Sequence, residues 1–104
     1  MDKLHDVVMN NIADQDLDIE KLVKIMVTSK STLYRKVKAN TGVNINEYIR
    51  ICRLKKAAEM LATQKYRINE VAYLTGFSSP SYFATSFQKQ FHQSPSTFIK
   101  NIKP

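Results

Sequence analysis

The chain has 104 residues, a net charge of +7 and a single cysteine, Cys52, so it can form one domain or two very small lobes that share an element. One cysteine excludes an internal disulfide and a cysteine-based zinc cluster, and Cys52 is expected as a small buried apolar residue. No apolar run approaches the roughly 18 residues of a membrane span and no secretory signal opens the chain, which predicts a soluble cytoplasmic protein without membrane contact.

Charge is unevenly placed. Up to Glu20, Lys3 stands alone against Asp2, Asp6, Asp14, Asp16, Asp18 and Glu20, whereas the remainder sets 15 lysines and arginines against Glu47, Glu59 and Glu70. A cationic body with an acidic end attracts polyanions.

Met1 reads as an expression start, and a first helix begins at Asp2 or Lys3 with Leu4, Val7, Val8, Ile12 and Ala13 on its packed side. The acidic residues after it form a turn. Asp18 caps a short helix whose inner face is Ile19, Leu22, Val23 and Met26; Lys21 cannot complete a capping box. Val27-Thr28 turns the chain and Ser29 caps a helix from Lys30 to about Asn40. There Leu33 and Val37 point inward, while Lys30, Ser31, Tyr34, Arg35 and Lys38 share the opposite side. That side carries the donors that read base edges, although an ordinary solvated helix face has the same composition.

Gly42 closes the helix, and Asn44 with Glu47 caps the longest one, Ile45 to Ala62 or Thr63. Its apolar stripe rotates. Ile45, Tyr48, Ile49 and Cys52 define one face in the first half, and Ile51, Leu54, Ala58 and Leu61 another in the second, as a helix shared by two bundles requires. Arg50, Arg53, Lys55 and Lys56 are expected on its solvated surface, with phosphate contact as the alternative role for each. Gln64 to Arg67 is a short polar connection. Val71, Ala72 and Leu74 then form an apolar helical face, Gly76 allows a turn at positive φ, and Ser79-Pro80 opens the next helix. Phe83, Phe87 and Phe91 recur every four residues as a buried stripe, leaving Ser81, Ala84, Thr85, Gln88 and Lys89 outward. Ser94-Pro95 opens a last short helix through Ile99.

The halves repeat. Ile19, Leu22, Val23 and Ile25 match Ile68, Val71, Ala72 and Leu74 at an offset of 49, and Ser29, Leu33 and Val37 match Ser79, Phe83 and Phe87 at an offset of 50. One extra residue in the second turn explains the change.

Ile68, Glu70, Val71-Ala72, Gly76-Phe77, Pro80-Ser81-Tyr82-Phe83, Phe87, Lys89, Phe91 and Ser94-Pro95-Ser96, in this order and spacing, resemble the signature of the AraC/XylS family of bacterial transcription regulators. The resemblance runs from about Leu4 to Ile99. It implies an all-α fold of about seven helices: a first helix-turn-helix subdomain over residues 1–43, a linker helix over 44–63 and a second subdomain over 64–104. It also implies sequence-specific binding of double-stranded DNA, with two recognition helices in successive major grooves. The sequence has no paired carboxylates, nucleophile with base, phosphate loop or metal cluster, so neither enzymatic activity nor a cofactor is expected.

Carried over by position, Lys30, Ser31, Tyr34, Arg35, Ser81 and Thr85 are candidate base readers. Thr32, Lys36, Lys38, Lys65, Ser79 and Lys89 are candidate phosphate contacts. The family often has arginine at Thr85 and lysine at Gln88, so the second helix is expected to contribute less sequence preference. Val27, Asn44-Ile45, Arg67 and His92 also depart from the family pattern; Val27 and His92 stand where glycine is common. Neither His5 nor His92 has a cluster suited to metal or catalysis. The parent is expected to be a longer regulator, with a hybrid two-component protein among the options, that meets RNA polymerase subunits. The isolated domain is expected to be monomeric. The competing reading is a helical protein-interaction module with an acidic partner.

Overall fold

The computed structural model describes residues 2–102; the expectation for Met1 lies outside them. The described residues form seven α-helices and no strand: α1 Asp2–Asn10, α2 Ile19–Met26, α3 Lys30–Thr41, α4 Ile45–Ala62, α5 Ile68–Leu74, α6 Pro80–Phe91 and α7 Pro95–Lys100. None of these helices is long and apolar enough to cross a membrane.

Local sequence accounts for the boundaries. The side chains of Asp18, Ser29, Asn44, Ser79 and Ser94 each accept a hydrogen bond from the backbone N–H three residues on, satisfying donors that the first helical turn leaves free. Arg67, which has no acceptor, makes only half of such a box: the Glu70 carboxylate accepts from its backbone N–H at 3.0 Å. At the other ends, Val27, Gly42 and His92 take the left-handed conformation at φ 53°, 77° and 61°. Gly42 does so without steric cost; Val27 and His92 do so against it.

Two apolar cores form, one on each half of α4. The first gathers Leu4, Val8, Ile12, Leu17, Leu22, Leu33, Val37, Ile45, Ile49 and Cys52. In the second, Leu54, Ala57, Leu61, Val71, Ala72, Phe77, Phe83 and Phe87 come together. The four-residue spacing of phenylalanines becomes a ladder of rings, with centroids 5.7 Å apart for Phe83–Phe87 and 4.6 Å for Phe87–Phe91. Phe77 closes it at one end, 5.1 Å from Phe83. Helix α4 packs on α1 and α3 with its first half and on α5, α6 and α7 with its second. The molecule is accordingly elongated, 44 × 23 × 23 Å.

Several expected positions differ. Helix α1 stops at Asn10, so Ile12 reaches the core from the turn and Ala13 is exposed. Leu74 is 46 % exposed and not part of the buried face; the side of α5 that packs ends with Val71 and Ala72. Ile51 is only half-buried, and Ala57 takes the core position in its place. The largest correction is Arg53, expected in solvent and only 6 % exposed.

Candidate nucleic-acid interface

The two helix pairs α2–α3 and α5–α6 have the same local construction. A left-handed residue follows each first helix, Val27 directly after α2 and Gly76 one residue beyond α5, after the Thr75 cap. In each, the next N–H returns to the carbonyl five residues back: Thr28 to Val23 at 3.2 Å, Phe77 to Ala72 at 3.0 Å. That bond pattern closes a helix C-terminus and turns the chain sharply. A serine, Ser29 or Ser79, then caps the second helix of each pair. The repeat extends to surface residues: Ile25 and Leu74, matched at an offset of 49, are 47 % and 46 % exposed.

Helix α3 is anchored by Leu33 and Val37, both buried, which turns the opposite side outward. Lys30, Ser31, Tyr34, Arg35, Lys36 and Lys38 are all exposed, and Thr32 is half-buried. Among the described residues, neither Arg35 nor Lys36 has a carboxylate within ion-pair distance, so both charges are available to a ligand. Lys30 is engaged differently: its ammonium pairs with Glu20 on α2, and that hydrogen-bonded carboxylate raises its pKa. Pairing with Glu20 occupies one of the three ammonium donors, so contact between Lys30 and a base competes with that pair. Lys38 donates to the Gly42 carbonyl at 2.9 Å, which directs its charge to the end of the helix. The Thr32 hydroxyl accepts from Ser29 Oγ at 2.8 Å, within the cap.

On α6, Phe83, Ser86 and Phe87 are buried, and Ser81, Thr85, Gln88 and Lys89 are exposed. Thr85 donates its hydroxyl to the Ser81 carbonyl one turn back, at 3.0 Å, and its oxygen retains capacity to accept. Ser79 is half-buried and its oxygen already accepts from Tyr82 N–H at 3.1 Å. Lys65 is exposed in the α4–α5 connection. Tyr82, to which the motif alone assigns no role, is exposed on the first turn of α6, and its ring packs edge-on against Phe77 at 5.7 Å. Helix α3 bears four cations and α6 one. The two outward faces thus match in shape but not in charge.

Tandem helix-turn-helix units carrying one strongly basic face define a class of nucleic-acid-binding proteins. The helix-turn-helix domain family matches residues 22–101, and the chain belongs to that family, in its AraC/XylS branch. Histidine kinase P4 of Formosa agariphila is 38 % identical over 96 residues, 92 % of this chain but only 7 % of that protein's length. The C-terminal domain of AraT, a response regulator from Geobacillus stearothermophilus, superposes with a TM-score of 0.85 at 26 % identity, covering 94 % of this chain and 81 % of that one. The DNA-binding domain of AdpA, a global transcriptional factor solved in complex with a target DNA, has the same fold, with a TM-score of 0.84 at 24 % identity, 94 % of this chain and 87 % of that one.

Proposed function

We propose that the chain binds double-stranded DNA sequence-specifically, as the output domain of a bacterial transcription regulator. Helices α3 and α6 enter successive major grooves on one side of the duplex. The observation that carries this reading is the repeat itself: two helix-turn-helix units, each with a left-handed turn residue and a serine cap on its second helix, on one continuous helix in a molecule 44 Å long. Recognition helices one DNA turn apart need a separation of about 34 Å, which fits within that length.

In this reading Arg35, with Lys30, Ser31 and Tyr34, reads bases in the first groove, and Ser81 and Thr85 do so in the second. Thr32, Lys36, Lys38, Lys65, Ser79 and Lys89 meet phosphates. Residues 1–43 and 64–104 form the two subdomains and 44–63 the helix between them. The domain works in the cytoplasm, is monomeric when isolated and has no catalytic role. Its parent is a longer regulator that engages RNA polymerase subunits; the similarity to a histidine kinase and to a response regulator's C-terminal domain supports a two-component parent.

Selection of bound duplexes from random DNA, followed by anisotropy titration at two salt concentrations, tests the reading. The expected result is a motif in two blocks about 10 base pairs apart. With about six phosphates engaged, log K should fall with log salt at a slope of about −5. Salt-sensitive binding without an enriched sequence would reduce the claim to non-specific affinity. Absence of binding would favour a protein partner.

A further inference from the structure

Arg53 stands between Cys52, the last α4 residue of the first core, and Leu54, the first of the second. Its guanidinium is buried and spans both lobes. Nη1 donates to the Ile12 carbonyl at 2.6 Å and to the Thr75 carbonyl at 2.9 Å, while Nη2 donates to the Asp14 carbonyl at 3.0 Å. Ile12 and Asp14 lie in the α1–α2 connection and Thr75 at the end of α5. One planar cation therefore ties the α1–α2 connection of the first lobe to the turn of the second helix-turn-helix unit.

A comparison of the two turns indicates what the tie requires. Val27 and Gly76 occupy the same place in the repeat, both left-handed. Val27 is 89 % exposed and nothing presses on it. At Gly76 a Cβ would lie 1.4 Å from Arg53 Nη1 and 2.3 Å from the Ile12 carbonyl oxygen, so the second turn has no room for any side chain. The glycine vacates the space that the guanidinium fills.

We propose that Arg53 is a positioning residue that fixes the distance and phase between α3 and α6, and thereby sets the spacing of the two DNA blocks the chain reads. The spacing half rests on the two-groove reading above. Helix α4 alone leaves each lobe free to rock about its axis. With Arg53 in place, any such rotation pulls a carbonyl of one lobe away from a buried, charged donor, which is strongly disfavoured. Lysine offers a point charge in place of a fork and cannot hold carbonyls from both lobes in one plane.

The test uses Arg53→Met and Arg53→Lys, the second in case the first fails to fold. Spin labels at Lys24→Cys and Tyr73→Cys, exposed and equivalent positions on α2 and α5, in a Cys52→Ala background, report the distance between lobes in the free protein. One narrow distance is expected with Arg53, and a distribution about twice as wide in the variants at unchanged helical circular dichroism, because a loosened joint samples more geometries. Distributions as narrow as that of the Arg53 protein overturn the proposal. Binding is then measured on selected duplexes whose blocks are moved apart or together by one base pair. The Arg53 protein should lose about tenfold per displacement and the variants less than about threefold, with affinity for an isolated single block unchanged, since only the effective concentration of the second contact differs. Widened distances with undiminished spacing discrimination overturn the spacing claim. A protein with Arg53 that itself ignores spacing refutes the two-groove reading, and the label distances still decide whether Arg53 holds the lobes.

Discussion

Arg35 and Thr85 hold the same place in the repeat, and their side chains differ in reach and charge. An arginine can bridge two acceptors of guanine, an arrangement worth about 1–3 kcal/mol of discrimination, whereas a short hydroxyl makes one bond or touches a thymine methyl. Arg35→Ala should therefore weaken specific binding by about that amount with little effect on non-specific binding, and Thr85→Ala should weaken it less. Equal losses in anisotropy titrations would show that the second helix reads as strongly as the first. Val27 allows a stability prediction of opposite sign. A β-branched residue in the left-handed region costs about 1–2 kcal/mol, and this one, almost fully exposed, packs on nothing in return. Val27→Gly should therefore raise stability by up to about 1 kcal/mol after the added freedom of the unfolded chain is subtracted, or about 4–8 °C in Tm. A fall in melting temperature would mean that Val27 is not strained. Asp14 supplies the pH dependence: its hydrogen bond from Lys21 Nζ at 2.8 Å, then that from Asp16 N–H, hold its pKa below 3.8. A carboxylate depressed in the folded state contributes stability that is present above its unfolded pKa and lost as pH falls through the folded one. Lys21→Ala should move the Asp14 titration, followed by NMR, back toward 3.8; an unmoved midpoint would assign the shift to the backbone bond alone.

At the scale of elements, most of the fold was legible because its signals are local. Ser29, Asn44, Ser79 and Ser94 announce helix starts through chemistry that acts within one turn, and each cap bond is present. The phenylalanine spacing of α6 likewise fixed which side would be buried. Arg53 was illegible for the converse reason: its partners Ile12, Asp14 and Thr75 are 41, 39 and 22 residues away, and they are backbone carbonyls, which leave no mark on the sequence. A faint signal did exist. Arg53 sits at the point where the α4 stripe rotates, flanked by two core residues, and a cation there has little solvent to reach. Leu74 was misplaced because an apolar residue at helical spacing reads as core whether or not anything covers it. The candidate site divides the same way, since exposure of α3 and α6 followed from their buried stripes, while the Lys30–Glu20 pair depended on how α2 meets α3. Ser79 carries two expectations, phosphate contact and cap, that substitution can separate. Ser79→Ala removes the acceptor for Tyr82 N–H and should cost about 0.5–2 kcal/mol of folding stability by chemical denaturation. If DNA affinity falls while stability holds, the phosphate role dominates.

At the scale of the molecule, the question is whether two cores make two folding units. Each lobe alone is smaller than about 60 residues, a size at which a core is marginal without disulfides or metals. Neither lobe closes its core without its half of α4, and unfolding either lobe takes from Arg53 a carbonyl partner that compensates its buried charge. Unfolding should therefore be one cooperative transition. Ile49→Ala in the first core and Leu54→Ala in the second should each cost about 2–5 kcal/mol and shift the same single transition, with tyrosine fluorescence and helical circular dichroism coincident in both variants. An early loss of part of the helix signal in Ile49→Ala alone would show that the lobes fold separately. That result would matter for function, because lobes that melt one at a time would present α3 and α6 to DNA as two weak binders on a tether. A single transition means that a cavity at Leu54, in the lobe across Arg53 from α3, still lowers the fraction of chains that present either α3 or α6 folded.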